Sequence, residues 1–499
     1  MTDRPQPSTQ ETSNRSDGHS LLPEISTPEG TQPGLAFSLT ALLSVVAVLA
    51  IGLLGFTAPL PLMMIIGFGV ALVFAALSKV SYHDAENAAF DMIRRGLQPL
   101  LIFVAVGALI AAWIYSGTVP TMIYYGLQLI SPSWFLPTAL VLCAITSLIN
   151  GTNFATVATI GLALMGVASA LGIPAGVAAG AIISGAIFGD KMSPLSDTTV
   201  MAPGLAGAEL FAHIRHMMWT TVPAILISLL VFTLMGFGYD IDADGTARVE
   251  EVAQGLNNAF NIGLIPLLPP LLVLGLLILK MDAFPAIGLG ALSGVAVAVL
   301  YQGADLTSVL LALWEGYFAP ESMGDIADLL AGGESGGALK LLGLAAIVIF
   351  ALAIAGALGA AGVMQTLLEA LGRGLDSPRK LVAGTLGITA LLNAIGGAVN
   401  FAVAMSTTTL RPLYQRQGIA PKNLSRAAED SANTTGPLIP WNATAIFTSA
   451  ALGVSVSTYL PWVFFCFITP LISLAYALTG FTITHGPGVE VSQPIDKAA

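Results

Sequence analysis

Five charged residues stand inside otherwise apolar stretches of this 499-residue chain: Asp190, Lys191, Asp197, Glu429 and Asp430. Around them gather small oxygen-bearing side chains: Asn150, Thr152, Asn153, Ser193, Ser196, Thr198, Thr199, Asn400, Ser431, Asn433, Thr434, Thr435 and Asn442. Hard monovalent cations take their ligands from such carboxylate, amide and hydroxyl oxygens and from the carbonyls of unwound helix. A carboxylate in that company holds either a cation or a proton, and competition between the two is the simplest way to couple them. A charge left at bilayer depth costs at least about 2.5–3.5 kcal/mol on insertion scales, so each of the five is a candidate for function.

Each also has a structural reading. Adjacent Asp190 and Lys191 suit an ion pair closing a helix end, and Asp197 suits a helix N-cap. Glu429 follows Arg426 by three residues, the spacing of an interfacial helix pair, whereas Asp430 lies deeper in its motif. His213 and His216 in ELFAHIRHMMW have the i, i+3 spacing that invites a metal or pH-sensing role. The pattern there favours an interfacial helix with its polar face among headgroups. Trp113, Trp134, Trp219 and Trp462, near the ends of apolar runs, read as interfacial belt residues.

The elements that must position these residues follow from composition. The chain is 55% hydrophobic and 9% charged, with 53 Gly and 29 Pro and a mean hydropathy of +0.83. Soluble domains carry roughly a quarter charged residues, so a soluble enzyme is excluded and a bundle of membrane-spanning helices is expected. Windows of about 20 apolar residues lie near 36–57, 59–78, 97–115, 219–239, 258–279, 283–301, 340–362 and 459–480. Two stretches are too long and too interrupted for one helix. Residues 134–200 break at Asn150–Asn153 and again at Asp190–Thr199; residues 381–453 break at Gly396–Asn400 and again at Glu429–Pro440. Each predicts a re-entrant hairpin followed by a discontinuous helix.

With the hairpins so placed and the N-terminus inside, all of the 18 Lys and Arg except Arg248, Lys340 and Lys191 fall on the cytoplasmic side, as the positive-inside rule requires. The two halves then run in opposite orientation. Asn153-Phe154-Ala155 matches Asn400-Phe401-Ala402, and Asp197-Thr198-Thr199 matches Asn433-Thr434-Thr435, at equivalent places. The expected fold is an all-α polytopic membrane protein of two inverted repeats, each of five spans plus a re-entrant hairpin, about ten spans and two hairpins in all. Residues 1–34 read as a disordered cytoplasmic tail, 35–240 as the first repeat, 241–257 as an acidic external loop, 258–481 as the second repeat and 482–499 as a cytoplasmic tail. No secretory signal precedes the first apolar span, which is expected to direct insertion itself.

Other chemistries lack their residues. There is no phosphate-binding G-x-x-x-x-G-K-[ST] loop and no H-E-x-x-H. Cys143 and Cys466 lie far apart in apolar runs and read as small core residues. No basic patch offers a nucleic-acid surface. Gly332–Gly337 reads as a flexible external loop.

The segment FGDKMSPLSDTTVMAPGLAGAELFAHIRHMMWTTVPA (188–224), with NGTNFATVATIGLALMG (150–166) and LSRAAEDSANTTGPLIPWNATAIF (424–447), resembles the NhaC-type sodium/proton antiporter family, in order across roughly 80–480. The resemblance implies a secondary carrier of the bacterial cytoplasmic (inner) membrane, not an enzyme. It would exchange sodium, or lithium, for protons driven by the proton gradient, with both termini cytoplasmic and no cofactor beyond the transported ions. The implied partners are the lipid bilayer, monovalent cations and protons, with a homodimer left open. Because the family also holds sodium-coupled carriers of small organic anions, carriage of a malate- or lactate-like anion or an amino acid is the alternative. Asp190, Asp197 and Asp430 are then the expected cation and proton groups, and Asn153, Ser193, Thr198, Asn400, Asn433 and Thr434 the neutral ligands. Lys191 and Glu429 are expected as charge partners or substrate contacts.

Overall fold

The computed structural model describes residues 33–56, 58–239, 243–320, 323–324, 326–327, 330 and 334–486. Both tails, Gly332 and Gly333 lie almost wholly or wholly outside that set. Seven helices among the described residues are long and apolar enough to cross a membrane, or nine if two sharply bent pairs each count as one span. Four shorter apolar helices, among them Leu35–Ala50 and Phe464–Thr479, complete the bundle. The chain is an all-α multi-pass membrane protein, and a two-residue ladder pairing Tyr317–Phe318 with Glu334–Ser335 is a minor addition. Large apolar side chains such as Leu43, Leu230, Leu271, Leu292 and Leu471 are exposed. In water that would be a liability, but lipid tails are their natural neighbours.

Each of the two interrupted stretches folds as a helical hairpin and then a broken helix. In the first, Pro132–Asn150 turns back into Asn153–Ala170, and Ala175–Met192 is followed after a four-residue break by Asp197–Ala206. In the second, Pro378–Gly396 turns into Val399–Arg416, and Pro421–Thr435 is followed by Ala443–Leu452. Pro132, Pro378 and Pro421 each open a helix at its first position, where the missing N–H is not needed. Both hairpins turn through the same two-residue backbone. Gly151 and Gly397 take φ of 73° and 59°, which a side chain disfavours. The next residues, Thr152 (φ −149°, ψ 128°) and Ala398 (φ −147°, ψ 129°), are extended.

Close packing fixes hairpin against broken helix. Gly185 and Gly189, one turn apart, leave room for the backbone of Pro132–Asn150; a Cβ on either would overlap the carbonyl oxygen of Leu140 or Ala144. In the second half hydrogen bonds do this: Asn393 donates to Ala432 O at 2.8 Å and Ser431 to Leu386 O at 2.7 Å. Each hairpin tip rests on the break of its own half. Gly151 abuts Leu195, and Ala443 N–H donates to Gly397 O at 2.8 Å. Asp197–Ala206 in turn packs on Val399–Arg416 and Pro421–Thr435, so the two breaks meet. Leu210–Gly236 and Phe464–Thr479 pack on each other and on the broken helices from the far side.

The segment expected as an acidic loop at 241–257 instead contributes to a helix, Ala243–Ala259. Val249, Val252 and Leu256 recur on one face and pack inward, a helical period that its acidic residues obscure. Trp113, expected in the interfacial belt, is fully buried, with its indole N–H on Gly290 O at 3.3 Å. The helix that bears it is sandwiched by neighbours rather than ending at a lipid surface.

Candidate functional site

A cavity of about 660 Å³ lies where the breaks and hairpin tips converge. Polar residues from both halves line it: Asn150, Thr152, Asn153, Asp190, Ser196, Asp197 and Thr198 from the first, and Asn400, Asn433 and Thr444 from the second. Lys280 and Asp282 lie at its edge, and Phe154, Met201, Leu352, Phe401 and Met405 supply apolar wall.

Successive residues of an α-helix point about 100° apart, and this separates the two members of each adjacent charged pair. Asp190 turns toward the cavity. One carboxylate oxygen accepts from Asn153 Nδ2 at 2.6 Å, and the carbonyl oxygen of that same Asn153 is buried without a hydrogen-bond partner. A carboxylate beside an unused amide oxygen is the donor set a sodium ion takes. Lys191 points away from the cavity, and its ammonium meets Asp430 at 2.8 Å, both side chains fully buried. Asp430 is then surrounded: Thr220 donates to it at 3.0 Å and Ser473 at 2.7 Å. Arg426 Nε stands 3.7 Å away, and the nitrogens of this fully buried guanidinium have no hydrogen-bond partner.

Glu429 takes a third direction. One oxygen accepts from Thr199 at 2.9 Å, Thr198 at 3.2 Å and Asn433 at 3.3 Å, and the other faces His213 Nε2 at 2.9 Å. The opposite ring nitrogen of His213 faces Ser425 Oγ at 2.8 Å. Among the described residues the buried charges are Asp190, Glu429 and Asp430 against Lys191 and Arg426. With the histidines neutral the set carries one excess negative charge, and one monovalent cation or one proton removes it. In a low-dielectric interior that balance matters more than any single hydrogen bond.

The sequence model of the Na+/H+ antiporter family matches residues 185–481. The chain is 37% identical over 415 residues to the Na(+)/H(+) antiporter NhaC of Alkalihalophilus pseudofirmus, covering 83% of this chain and 89% of that one. The chain belongs to the Na+/H+ antiporter family. It is also 36% identical over 425 residues to the malate-2H(+)/Na(+)-lactate antiporter of Bacillus subtilis, covering 85% and 90%. With the arginine/ornithine antiporter ArcD of Halobacterium salinarum it shares 31% over 481 residues, covering 94% and 97%.

In this member of the Na+/H+ antiporter family the cavity brings together Asn153, Asp190, Asp197, Thr198, Asn400 and Asn433 of the residues singled out in the sequence. Ser193, Asp430 and Thr434 do not line it. Ser193 closes the end of its helix segment and accepts from Leu195 N–H, and Thr434 bonds back to Asp430 O at 2.6 Å. Asp197 is the first helical residue and Ser196 holds the cap position, so the N-cap reading fails by one residue. Lys191 pairs with Asp430 and not with its neighbour Asp190. Glu429 is not in an interfacial pair with Arg426; it is fully buried among Thr198, Thr199, Asn433 and His213. Arg426, counted on the cytoplasmic face by charge asymmetry, is likewise buried. His213 and His216, expected among headgroups, are both buried, and His216 faces Asn423 Oδ1 at 3.2 Å.

Thr220, Ser425 and Ser473 escaped the sequence reading. A signal for one existed: His213, His216 and Thr220 recur every three to four residues on a largely apolar helix, the mark of a polar stripe turned inward. Ser473 shares Phe464–Thr479 with the hydroxyls of Thr469, Tyr476 and Thr479, and nothing in the sequence set it apart from them.

Proposed function

We propose that the chain exchanges sodium, or lithium, for protons across the membrane by letting the two compete for a buried site headed by Asp190. The observation that carries this is that Asp190, among the described residues, is the buried carboxylate that lines the cavity, while Asp430 is already paired with Lys191. Asn153 and Ser196 flank it, Asp197 lies in the same wall, and Thr198, Asn400 and Asn433 add oxygen ligands from both breaks. The excess negative charge of the buried set suits a single monovalent cation. If more charge crosses in one direction than in the other, each net charge couples to about 2.3 kcal/mol per 100 mV. Two inverted repeats over 35–240 and 258–481, with both termini cytoplasmic in a bacterial inner membrane, belong to this reading. The shared hairpin backbone and the matching element order support it. Sodium-dependent collapse of a pH gradient in proteoliposomes tests the proposal: Asp190→Asn is expected to abolish it, and an unchanged response would overturn the assignment.

The cavity volume favours a second reading, carriage of a small organic ion with sodium. About 660 Å³ is within the range of small-molecule pockets and far above what a bare cation fills. Uptake of labelled malate, lactate and ornithine, with and without sodium, decides between the two.

A further inference from the structure

A sodium site at Asp190 uses oxygen ligands and makes no use of the apolar wall of the same cavity. That wall consists of Phe154, Met201, Leu352, Phe401 and Met405. Such surface gains nothing from facing water; covered by hydrocarbon, it stabilises a ligand in proportion to the area buried. Packing fixes both of its rings. Phe154 meets Phe447 edge-on with centroids 4.8 Å apart and has Phe103 at 6.5 Å, and Phe401 lies over Gly396, where a Cβ would overlap its ring. Each ring follows an asparagine that also lines the cavity, Asn153-Phe154 at the first hairpin tip and Asn400-Phe401 at the second. Both tips thus set an amide beside an apolar face, the mixture that recognises a small amphipathic molecule.

Charge selects the sign of that molecule. Among the described residues the lining carries three carboxylates, Asp190, Asp197 and Asp282, against one ammonium, Lys280. The buried cations Lys191 and Arg426 stand beside Asp430 and do not line the cavity. A cleft of this sign concentrates cations and repels organic anions. At its buried end one Asp190 oxygen already accepts from Asn153 Nδ2, while Asn153 Oδ1, on a residue only 6% exposed, has no donor. A buried amide oxygen without a donor is costly. A primary ammonium has three N–H donors and no acceptor, so it can serve the carboxylate and this oxygen together, with charge-assisted hydrogen bonds.

We propose that the cavity takes a second class of cargo, a small organic monoamine with a primary ammonium group on an apolar body. The ammonium binds at Asp190 and Asn153, and the body lies against Phe154 and Phe401. The inference rests on the reading of Asp190 as the cation site and widens what that site takes. One ammonium cancels the single excess negative charge of the buried set, as one sodium does. The amine therefore replaces sodium and does not travel with it.

Binding of radiolabelled phenethylamine and of radiolabelled sodium to the purified full-length chain at neutral pH tests this. Phenethylamine should bind saturably and be displaced by sodium, and malate at the same concentration should displace neither. Choline, whose quaternary nitrogen has no N–H to donate, should compete about tenfold more weakly than phenethylamine. Asp190→Asn should weaken the amine and sodium together, by about tenfold or more. Phe154→Ala and Phe401→Ala should each weaken the amine by about tenfold and sodium by much less, so the inference stays testable if the carboxylate variant misfolds. Sodium binding without sodium-displaceable amine binding overturns this inference alone. So does displacement of both ligands by malate, or an equal loss of amine and sodium in the two ring variants. No sodium binding by the wild type overturns the sodium reading beneath it.

Discussion

Asp190 and Asp430 occupy comparable places, each next to another charged residue near the end of the first segment of a broken helix, yet their surroundings are opposite. Asp430 is sealed by Lys191, Thr220 and Ser473, whereas Asp190 has Asn153 and a cavity. The single lysine decides the difference. By crossing to Asp430 it satisfies one acid and leaves the other facing the cavity without a fixed cation, as the proposed exchange site requires. A buried carboxylate can be a structural strut or an exchange site, and what separates them is whether a fixed cation has already claimed it.

The comparison breaks most directly at its functional end. Asp190→Asn should lower sodium-dependent exchange by about 100-fold or more, equivalent to about 2.7 kcal/mol, while leaving the melting temperature in detergent nearly unchanged. An Asp430→Asn variant that lost transport without losing stability would reverse the two roles. Next comes Lys191→Met, which strands Asp430 and should cost about 3–5 kcal/mol of stability, read as a fall in melting temperature. Arg426→Met removes a buried cation 3.7 Å from Asp430 and leaves the buried set with a second excess negative charge; it should also destabilise, by less than Lys191→Met because this guanidinium makes no hydrogen bond.

The hairpin turns offer a finer test. Gly151→Ala and Gly397→Ala each force a side chain into left-handed backbone, at about 1–2 kcal/mol. The first should cost more, because its Cβ would lie 2.8 Å from the carbonyl carbon of Leu195, while the second meets a methyl group, Ala351 Cβ, at 2.9 Å. Equal melting temperatures for the two variants would mean the tips are not packed as differently as they look.

The smallest effect belongs to an exposed pair, Asp376 and Lys380 at 2.8 Å. The hydrogen bond from Lys380, and then its charge, hold the Asp376 carboxyl below the ordinary carboxylate value. A depressed folded-state value lends stability that is present above the unfolded value and lost as acid is added through the folded one. Lys380→Ala should therefore leave the melting temperature at pH 7 within error, since exposed pairs contribute little.

Much of this was legible beforehand. Scarcity of charge singled out Asp190, Lys191, Asp197, Glu429 and Asp430, and the glycines and prolines of the two long apolar stretches located the hairpins and breaks. His213 was read past because a histidine pair flanking an arginine looks interfacial, and the partner that buries it stands 216 residues further on. Arg426 was misread for a related reason, since charge asymmetry treats a basic residue outside a clear span as a loop cation.

The sequence by itself determined the membrane setting, the helical class and the polar breaks, because hydropathy and backbone-breaking residues act locally. Which carboxylate pairs with Lys191, which faces the cavity and which meets His213 was decided only in three dimensions. Neighbouring helix residues diverge by about 100°, and the carboxylates that answer Lys191 and His213 come from the other half of the chain.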